Sequence, residues 1–223
     1  MQVEDLTPVA QDYLKAIWSA VEWGEPPIST TALAARFETS PANVSETMRR
    51  LQLQGLVSYQ PYRPVTLTPL GERLAVAMVR RHRLVETFLA QVLGYGWDEV
   101  HADAERLEHA VSERFLDRID ALLGHPVTDP HGDPIPAAGG QWTVQADAVR
   151  LSDAAPGGYR VVRVSDADAE RLRRLREHRI VPGAQVTVKA VGEVFHADGT
   201  PLGLPSGDLE HVRARVRERP ATG

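Results

Sequence analysis

Between residues 30 and 67 the chain sets two helical patterns and two β-type runs in an order that few folds accommodate. TTALAARF (30–37) predicts a short helix, ETS (38–40) a tight connector, and PANVSETMRRLQLQ (41–54) a second helix stopping at Gly55. Ser40 is a capping residue, Pro41 suits the first helical position, and Val44, Met48 and Leu51 recur at the spacing of a buried stripe. LVSYQ and VTLT then flank PYRP (61–64), two strands joined by a four-residue turn. Ahead of all this, Thr7-Pro8 opens a helix whose apolar residues Tyr13, Leu14, Ile17, Trp18 and Val21 repeat helically until Gly24. Helix, short helix, tight turn, helix and hairpin is the order of a winged helix-turn-helix, assigned here to residues 1–72.

Such a module reads DNA by laying its second helix in a major groove ~12 Å wide. Opposite the Val44/Met48/Leu51 stripe the pattern places Ser40, Asn43, Ser45, Glu46, Thr47 and Arg50, short hydrogen-bonding groups and a cation suited to base edges and phosphates. The hairpin tip offers Tyr62 and Arg63 to a neighbouring backbone or minor groove. A net charge of −5 argues against a protein that coats nucleic acid indiscriminately. The case for DNA therefore rests on architecture, and Glu46, which repels phosphate, can still accept from a cytosine amino group.

Downstream, Thr68-Pro69 starts a helix reaching about Gly94, GWDEVHADAERLEHAV (96–111) reads as helical, and SERFLDRIDALLG (112–124) continues or follows it. HPVTDPHGDPIPAAGG (125–140) is a Pro/Gly/Asp-rich connector between domains. Beyond it YRVVRVS (159–165), AQVTVKAV (184–191) and HVRARVRE (211–218) are β-rich, with one short polar helix near 168–178, a pattern that predicts a small barrel. The expected chain is mainly α with β: a winged helix-turn-helix, a helical domain over 73–140, and a small β-barrel over 141–223. Leu84, Val85, Phe88, Leu89, Val92, Phe115, Leu116, Ile119, Leu122 and Leu123 present more apolar surface than one helical layer buries, which predicts a homodimer.

Cysteine is absent, so any metal must be held by His, Asp, Glu, carbonyl oxygen or water. At ~100° per residue His101, Glu105, Glu108 and His109 share an arc of roughly 100° on one helix face. His82 and Glu86 lie one turn apart on the preceding helix, and Asp12 stands beside the apolar stripe of the first. Two carboxylates crowded at i, i+3 are unfavourable without a cation between them. Catalytic helix bundles take Glu-x-x-His from two helices and a further Glu from two more. Here Glu105-x-x-Glu108-His109 occurs once, and there is no HExxH, phosphate-cradling glycine loop or nucleophile elbow, so the chain reads as no enzyme.

RRHRLVETFLAQVLGYGWDEVHADAERLEHAVSE (80–113) resembles the diphtheria toxin repressor and manganese transport regulator family. The likeness extends to DYLKAIW (12–18), SPANVSETMRRLQLQGLV (40–57), LTPLGERLA (67–75) and DPHGDPIP (129–136), and more weakly to the third, SH3-like domain of the longer members. The resemblance implies a primary regulatory metal site at Asp12, Glu105, Glu108 and His109. It implies an ancillary site at His82, Glu86 and His101, with further ligands from the third domain, for which Asp166, Asp168 and Glu170 are candidates. Iron-sensing members carry Met and Cys where this chain has Asp12 and Glu105, and carboxylates make a harder site that suits Mn²⁺. Two-domain manganese regulators place another acid where this chain has Lys15, so two separate sites are expected rather than a close metal pair.

The resulting expectation is a cytoplasmic, manganese-dependent repressor that binds palindromic operator DNA as a homodimer and controls metal-uptake genes, without membrane or small organic substrate. No segment approaches the ~18 apolar residues of a membrane span, and the N-terminus lacks a signal-peptide pattern. An iron-dependent regulator of the same family, with Fe²⁺ as cofactor, and a winged-helix regulator answering a non-metal ligand are the alternatives.

Overall fold

The computed structural model describes residues 1–24, 26–142 and 147–217. The chain divides into two compact units, one made of Met1–His82 with Pro136–Trp142, the other of Arg83–Ile135 with Thr143–Gly223.

In the first unit each helix begins on a hydroxyl cap. Thr7 accepts from Ala10 N ahead of α1 (Pro8–Glu22), Ser29 from Ala32 N ahead of α2 (Thr30–Arg36), and Ser40 from Asn43 N ahead of α3 (Pro41–Leu53). Each cap satisfies an amide that the helix leaves open and contributes about 1 kcal/mol. Leu14, Ile17, Leu33, Val44, Met48 and Leu51 from these helices close on Leu56, Val65 and Met78 in one core. Burying such side chains stabilises the unit by about 1.5–3 kcal/mol apiece.

The wing is shorter than its sequence suggests, with only β1 (Val57–Ser58) and β2 (Thr66–Leu67) paired, Val57 opposite Leu67. Pro61 and Pro64 lack amide donors and Tyr62 sits at φ 64°, so the ladder ends early and the tip is a loop. α4 (Pro69–Leu93) begins under the wing, where Thr68 Oγ1 donates to Gly55 O at 2.7 Å and Gly71 lies against the Leu56 carbonyl. The segment 136–142 returns to this unit. Arg80 Nη1 donates to Pro136 O at 2.7 Å, and Trp142 meets Trp18 edge-on at 5.0 Å.

In the second unit the later half of α4 supplies Leu84, Val85 and Leu89 to a core with Val100 and Ala104 of α5 (Val100–Leu107), Leu116 and Ile119 of α6 (Glu113–Leu122), and Ile135. The helix expected over 96–111 stops at Leu107. Ser112 caps α6 from an extended backbone (φ −83°, ψ 158°), and that conformation forces the chain out of the helix beforehand. Val92 and Phe115, each 47% exposed, and Leu122, 65% exposed, are what remains of the apolar face on which a dimer was expected.

The β-rich remainder is a five-stranded antiparallel sheet in the order β3-β7-β4-β5-β6. Its strands are β3 (Val149–Arg150), β4 (Gly157–Val164), β5 (Gln185–Ala190), β6 (Glu193–His196) and β7 (Val212–Val216). The last residue of the predicted run 211–218, Glu218, lies outside the described residues. Alternate residues Tyr159, Val161, Val186, Val188, Val212 and Ala214 face a core shared with Leu172 and Leu175 of α7 (Ala169–Glu177). The β4–β7 register shifts between Val161 and Arg163. Such a bulge re-aims the side chains beside it, and here Arg163 is buried while the Val162 carbonyl is left to meet another segment. Among the described residues no helix is long and apolar enough to cross a membrane.

Candidate metal centre and DNA-reading face

α3 buries Val44, Met48 and Leu51 as its spacing predicts. Glu46 stands at the middle of the opposite, exposed face, with Ala42, Asn43, Arg49 and Arg50 around it. Two expectations need correction. Thr47 is 8% exposed and its hydroxyl donates to Asn43 O at 3.0 Å. Ser45 is half-buried and donates to Pro41 O at 2.9 Å. Both lie about 100° of helix rotation from Glu46, so they flank the face rather than compose it. Ser40 is exposed, with its oxygen committed to the cap, and Asn43 Nδ2 donates to Thr39 Oγ1 at 3.1 Å. Arg49, which was not among the residues expected on the reading face, is exposed and lies 3.4 Å from Glu46. Arg63 is exposed beside Tyr62, the outermost side chain of the wing.

The second unit gathers titratable groups around Glu86, which is wholly buried on α4. His101 Nδ1, on α5, lies 3.2 Å from Glu86 Oε1 and 3.3 Å from Asp166 Oδ2. On the other side His131 Nδ1 lies 3.5 Å from Glu86 Oε2. Glu86, Asp129 and His131 offer ligand atoms within 4.8 Å of one another, and so do Glu86, His101 and Asp166. Of the three third-domain candidates only Asp166 reaches this cluster. Asp168 caps α7, accepting from Glu170 N and Arg171 N, and Glu170 is exposed in its first turn.

His131 shows what the cluster is suited to hold. Its Nε2 lies 2.6 Å from Trp97 O, a contact that needs the proton on Nε2. Nδ1 is then left facing a buried carboxylate without a hydrogen-bond partner. A bare lone pair against a carboxylate is repulsive; either a proton or a cation must come between them. Without a cation it is a proton. Burial pulls the His131 and His101 imidazoles down, but the Glu86 carboxylate lifts His131 to about 10, and Asp166 with Glu86 lifts His101 to about 11. Burial pushes Asp129 up to about 7 despite the cations beside it. Asp166 is driven the other way, because His101 outweighs its burial. Carboxylates and imidazoles without sulfur form a donor set that fits a divalent ion of the Mn²⁺ or Fe²⁺ kind.

The loop that carries His131 is clamped. Asp129 Oδ1 accepts from His131 N at 2.8 Å and Asp133 N at 2.9 Å. Arg83 donates to Pro134 O at 2.7 Å and lies 3.6 Å from Asp129 and 3.4 Å from Asp133. Arg163, turned inward at the bulge, bonds Asp133. Val164 N donates to His131 O at 2.9 Å, and Gly132 (φ +85°) leaves no room for a Cβ beneath the Val162 carbonyl. Sequence reading took this stretch for a connector and missed Asp129 and His131 as ligand candidates. A histidine between two aspartates in DPHGD was the available signal.

The other predicted ligands sit as follows. Glu105 lies on α5, 3.6 Å from His101; Glu108, wholly buried, ends α5; His109 Nε2 lies 3.8 Å from Glu108. Asp12 is a half-buried residue of α1 in the first unit. His82, buried, is the last residue of that unit and precedes Glu86 by one turn of α4.

Residues 5–65 match the N-terminal DNA binding domain of iron dependent repressors, 68–137 their metal binding and dimerisation domain, and 149–216 the FeoA domain. The iron-dependent repressor IdeR of Mycobacterium leprae is 35% identical over 199 residues, covering 84% of this chain and 86% of its own. The chain belongs to the iron-dependent repressor family. The diphtheria toxin repressor of Corynebacterium diphtheriae is 33% identical over 196 residues, covering 88% of this chain and 82% of its own. Among solved structures, a manganese-dependent transcriptional repressor in complex with manganese superposes on this repressor with TM-score 0.86 at 45% identity, covering 93% of this chain and all of the other. The manganese regulator SloR superposes with TM-score 0.81 at 31% identity, covering 95% of this chain and all of SloR. The family identity confirms the winged module, the helical domain and the SH3-like third domain, which in this repressor is the FeoA domain.

Proposed function

We propose that this chain is a manganese-dependent transcriptional repressor that binds palindromic operator DNA as a homodimer and controls metal-uptake genes. The observation that carries the reading is the buried His131 Nδ1 turned on Glu86 within a group of carboxylates and imidazoles. Mn²⁺ or a similar ion replaces a proton there.

Two ion sites are proposed. One takes Asp12, Glu105, Glu108 and His109; the other takes His82, Glu86 and His101 together with Asp129, His131 and Asp166. Sulfur is absent from both sets, and the manganese-complexed relative is the 45%-identical one, which favours Mn²⁺. The curated relatives named for iron keep Fe²⁺ as the second reading. Asp12 belongs to the DNA-reading unit, and Glu105, Glu108 and His109 to the other. Metal and operator affinities are therefore coupled, and each raises the other by the same factor. Val92, Phe115 and Leu122 support the dimer, and an operator-binding protein acts where the DNA is, in the cytoplasm.

The test is operator retention with Mn²⁺, with chelator, and with Fe²⁺ competing under anaerobic conditions. Binding abolished by chelator, restored by Mn²⁺, and lost in Asp12→Ala and Glu108→Ala is the expected result. Operator affinity indifferent to metal in the native chain overturns the reading.

A further inference from the structure

The middle of the exposed face of α3 is held by an acid. Glu46 is 64% exposed in its side chain at the centre of the face that the DNA-binding domain presents. A carboxylate facing a duplex of phosphates is repelled unless it meets hydrogen-bond donors. In the major groove the only donors are the amino groups of cytosine (N4) and adenine (N6); guanine and thymine offer acceptors at their edges.

The structure adds a partner that chooses between the two. Arg49 Nη1 lies 3.4 Å from Glu46 Oε2, one helical turn on, with its own side chain 59% exposed. The couple thus presents one acceptor and one fork of donors side by side. A C·G pair presents the complement, a donor on cytosine N4 beside acceptors on guanine O6 and N7. An A·T pair offers adenine N6 to the acid, but its remaining acceptors, adenine N7 and thymine O4, lie on either side of that donor and give the guanidinium no adjacent pair of acceptors on one base. Ser45 and Thr47, whose hydroxyls are turned back onto the helix, do not compete for the same base.

We infer that Glu46 and Arg49 act together as the reader of a single C·G base pair in each operator half-site, Glu46 accepting from cytosine N4 and Arg49 donating to guanine O6 and N7. This deepens the DNA-binding reading by naming what the helix selects, and it rests on that reading. Glu46 also holds Arg49 in place before DNA arrives, so removing the acid loosens the arginine. Glu46→Gln exchanges the acid for an amide able to bond adenine N6 and N7 bidentately.

The test is selection of duplexes from a randomised pool by the Mn²⁺-loaded full chain, followed by affinities for every substitution in the selected half-site. One position is expected to favour C·G over every other pair by about 5- to 150-fold, the range for one good base contact. Glu46→Gln moves the preference at that position to A·T and leaves the remaining positions as they were. Glu46→Ala and Arg49→Ala each flatten it. A selected site whose base preferences do not respond to residues 46 and 49 overturns the inference. Metal-dependent retention of the selected duplex is scored separately, so failure of the regulatory reading shows as no selection at all, and failure of this one as selection that ignores both residues.

Discussion

Loading the buried centre of the second unit must expel protons, and the number is countable. His131 and His101 hold imidazolium protons because Glu86 and Asp166 face them, with values lifted to about 10 and about 11. A ligating nitrogen must be bare, so both protons leave when an ion enters. The sign follows from the raised values. Below about pH 10 both protons are in place and oppose the metal, so ion affinity climbs with pH and levels only as those values are passed. While two protons leave, each pH unit changes the affinity by about 100-fold. At pH 7 stripping His131 alone, three units below its value, costs about 4 kcal/mol at ~1.4 kcal/mol per unit. Below about 7, Asp129 takes up a proton as well and the dependence steepens further. Calorimetric titration with Mn²⁺ at pH 8 in two buffers of different ionisation enthalpy gives the count directly. Asp12→Ala keeps the proposed Asp12-containing site out of the measurement. Close to two protons per ion are expected, falling by one in His131→Phe; fewer than one in the Asp12→Ala protein refutes the reasoning.

Gly132→Ala forces a left-handed side chain, at ~1–2 kcal/mol, and drives its Cβ into the Val162 carbonyl. The melting temperature is expected to fall by ~5 °C or more for a chain of this size, with weaker Mn²⁺ binding at His131 in the same protein; an unchanged melting curve contradicts the packing described. Phe115→Glu places a charge on the exposed apolar patch with Leu122. Losing ~1.5–3 kcal/mol of burial per subunit is expected to raise the dimer dissociation constant by ten-fold or more in sedimentation equilibrium, and an unaltered constant moves the dimer interface elsewhere.

The fold was legible wherever its signals were local. Thr7-Pro8 and Ser40-Pro41 mark helix starts because a hydroxyl cap and an N1 proline act within one turn, and each start is where the sequence put it. Legibility failed where one local demand overrode another. The apolar period through 96–111 reads as one helix, but Ser112 can cap α6 only from an extended backbone, and α5 ends at Leu107. The wing shortened for a similar reason, since the prolines at 61 and 64 remove donors that alternation alone does not register.

The site divides along the same line. His82, Glu86, His101, Glu105 and Glu108 were legible as candidates because helical spacing puts Glu and His side chains on one face before anything else is known. Asp129 and His131 were not, because nothing in HPVTDPHGDPIP has a period, and each of its residues is equally at home in an exposed turn. What buries the loop is a bulge thirty residues later, which turns Arg163 inward to Asp133 and leaves the Val162 carbonyl over a glycine. No pattern within either segment records that pairing, and only the packed chain brings Arg83, Asp129, Asp133 and Arg163 into one buried network. Two guanidinium and two carboxylate groups balance there, which lets a loop sit in the interior without stranding its charges. Glu86 and Asp166 face the imidazoles of His131 and His101 instead of guanidinium groups, so their charge is balanced only by a removable proton or by a cation. These groups stay poised for a cation, and the burial that keeps His131 out of a sequence pattern also makes their occupancy sensitive to protons.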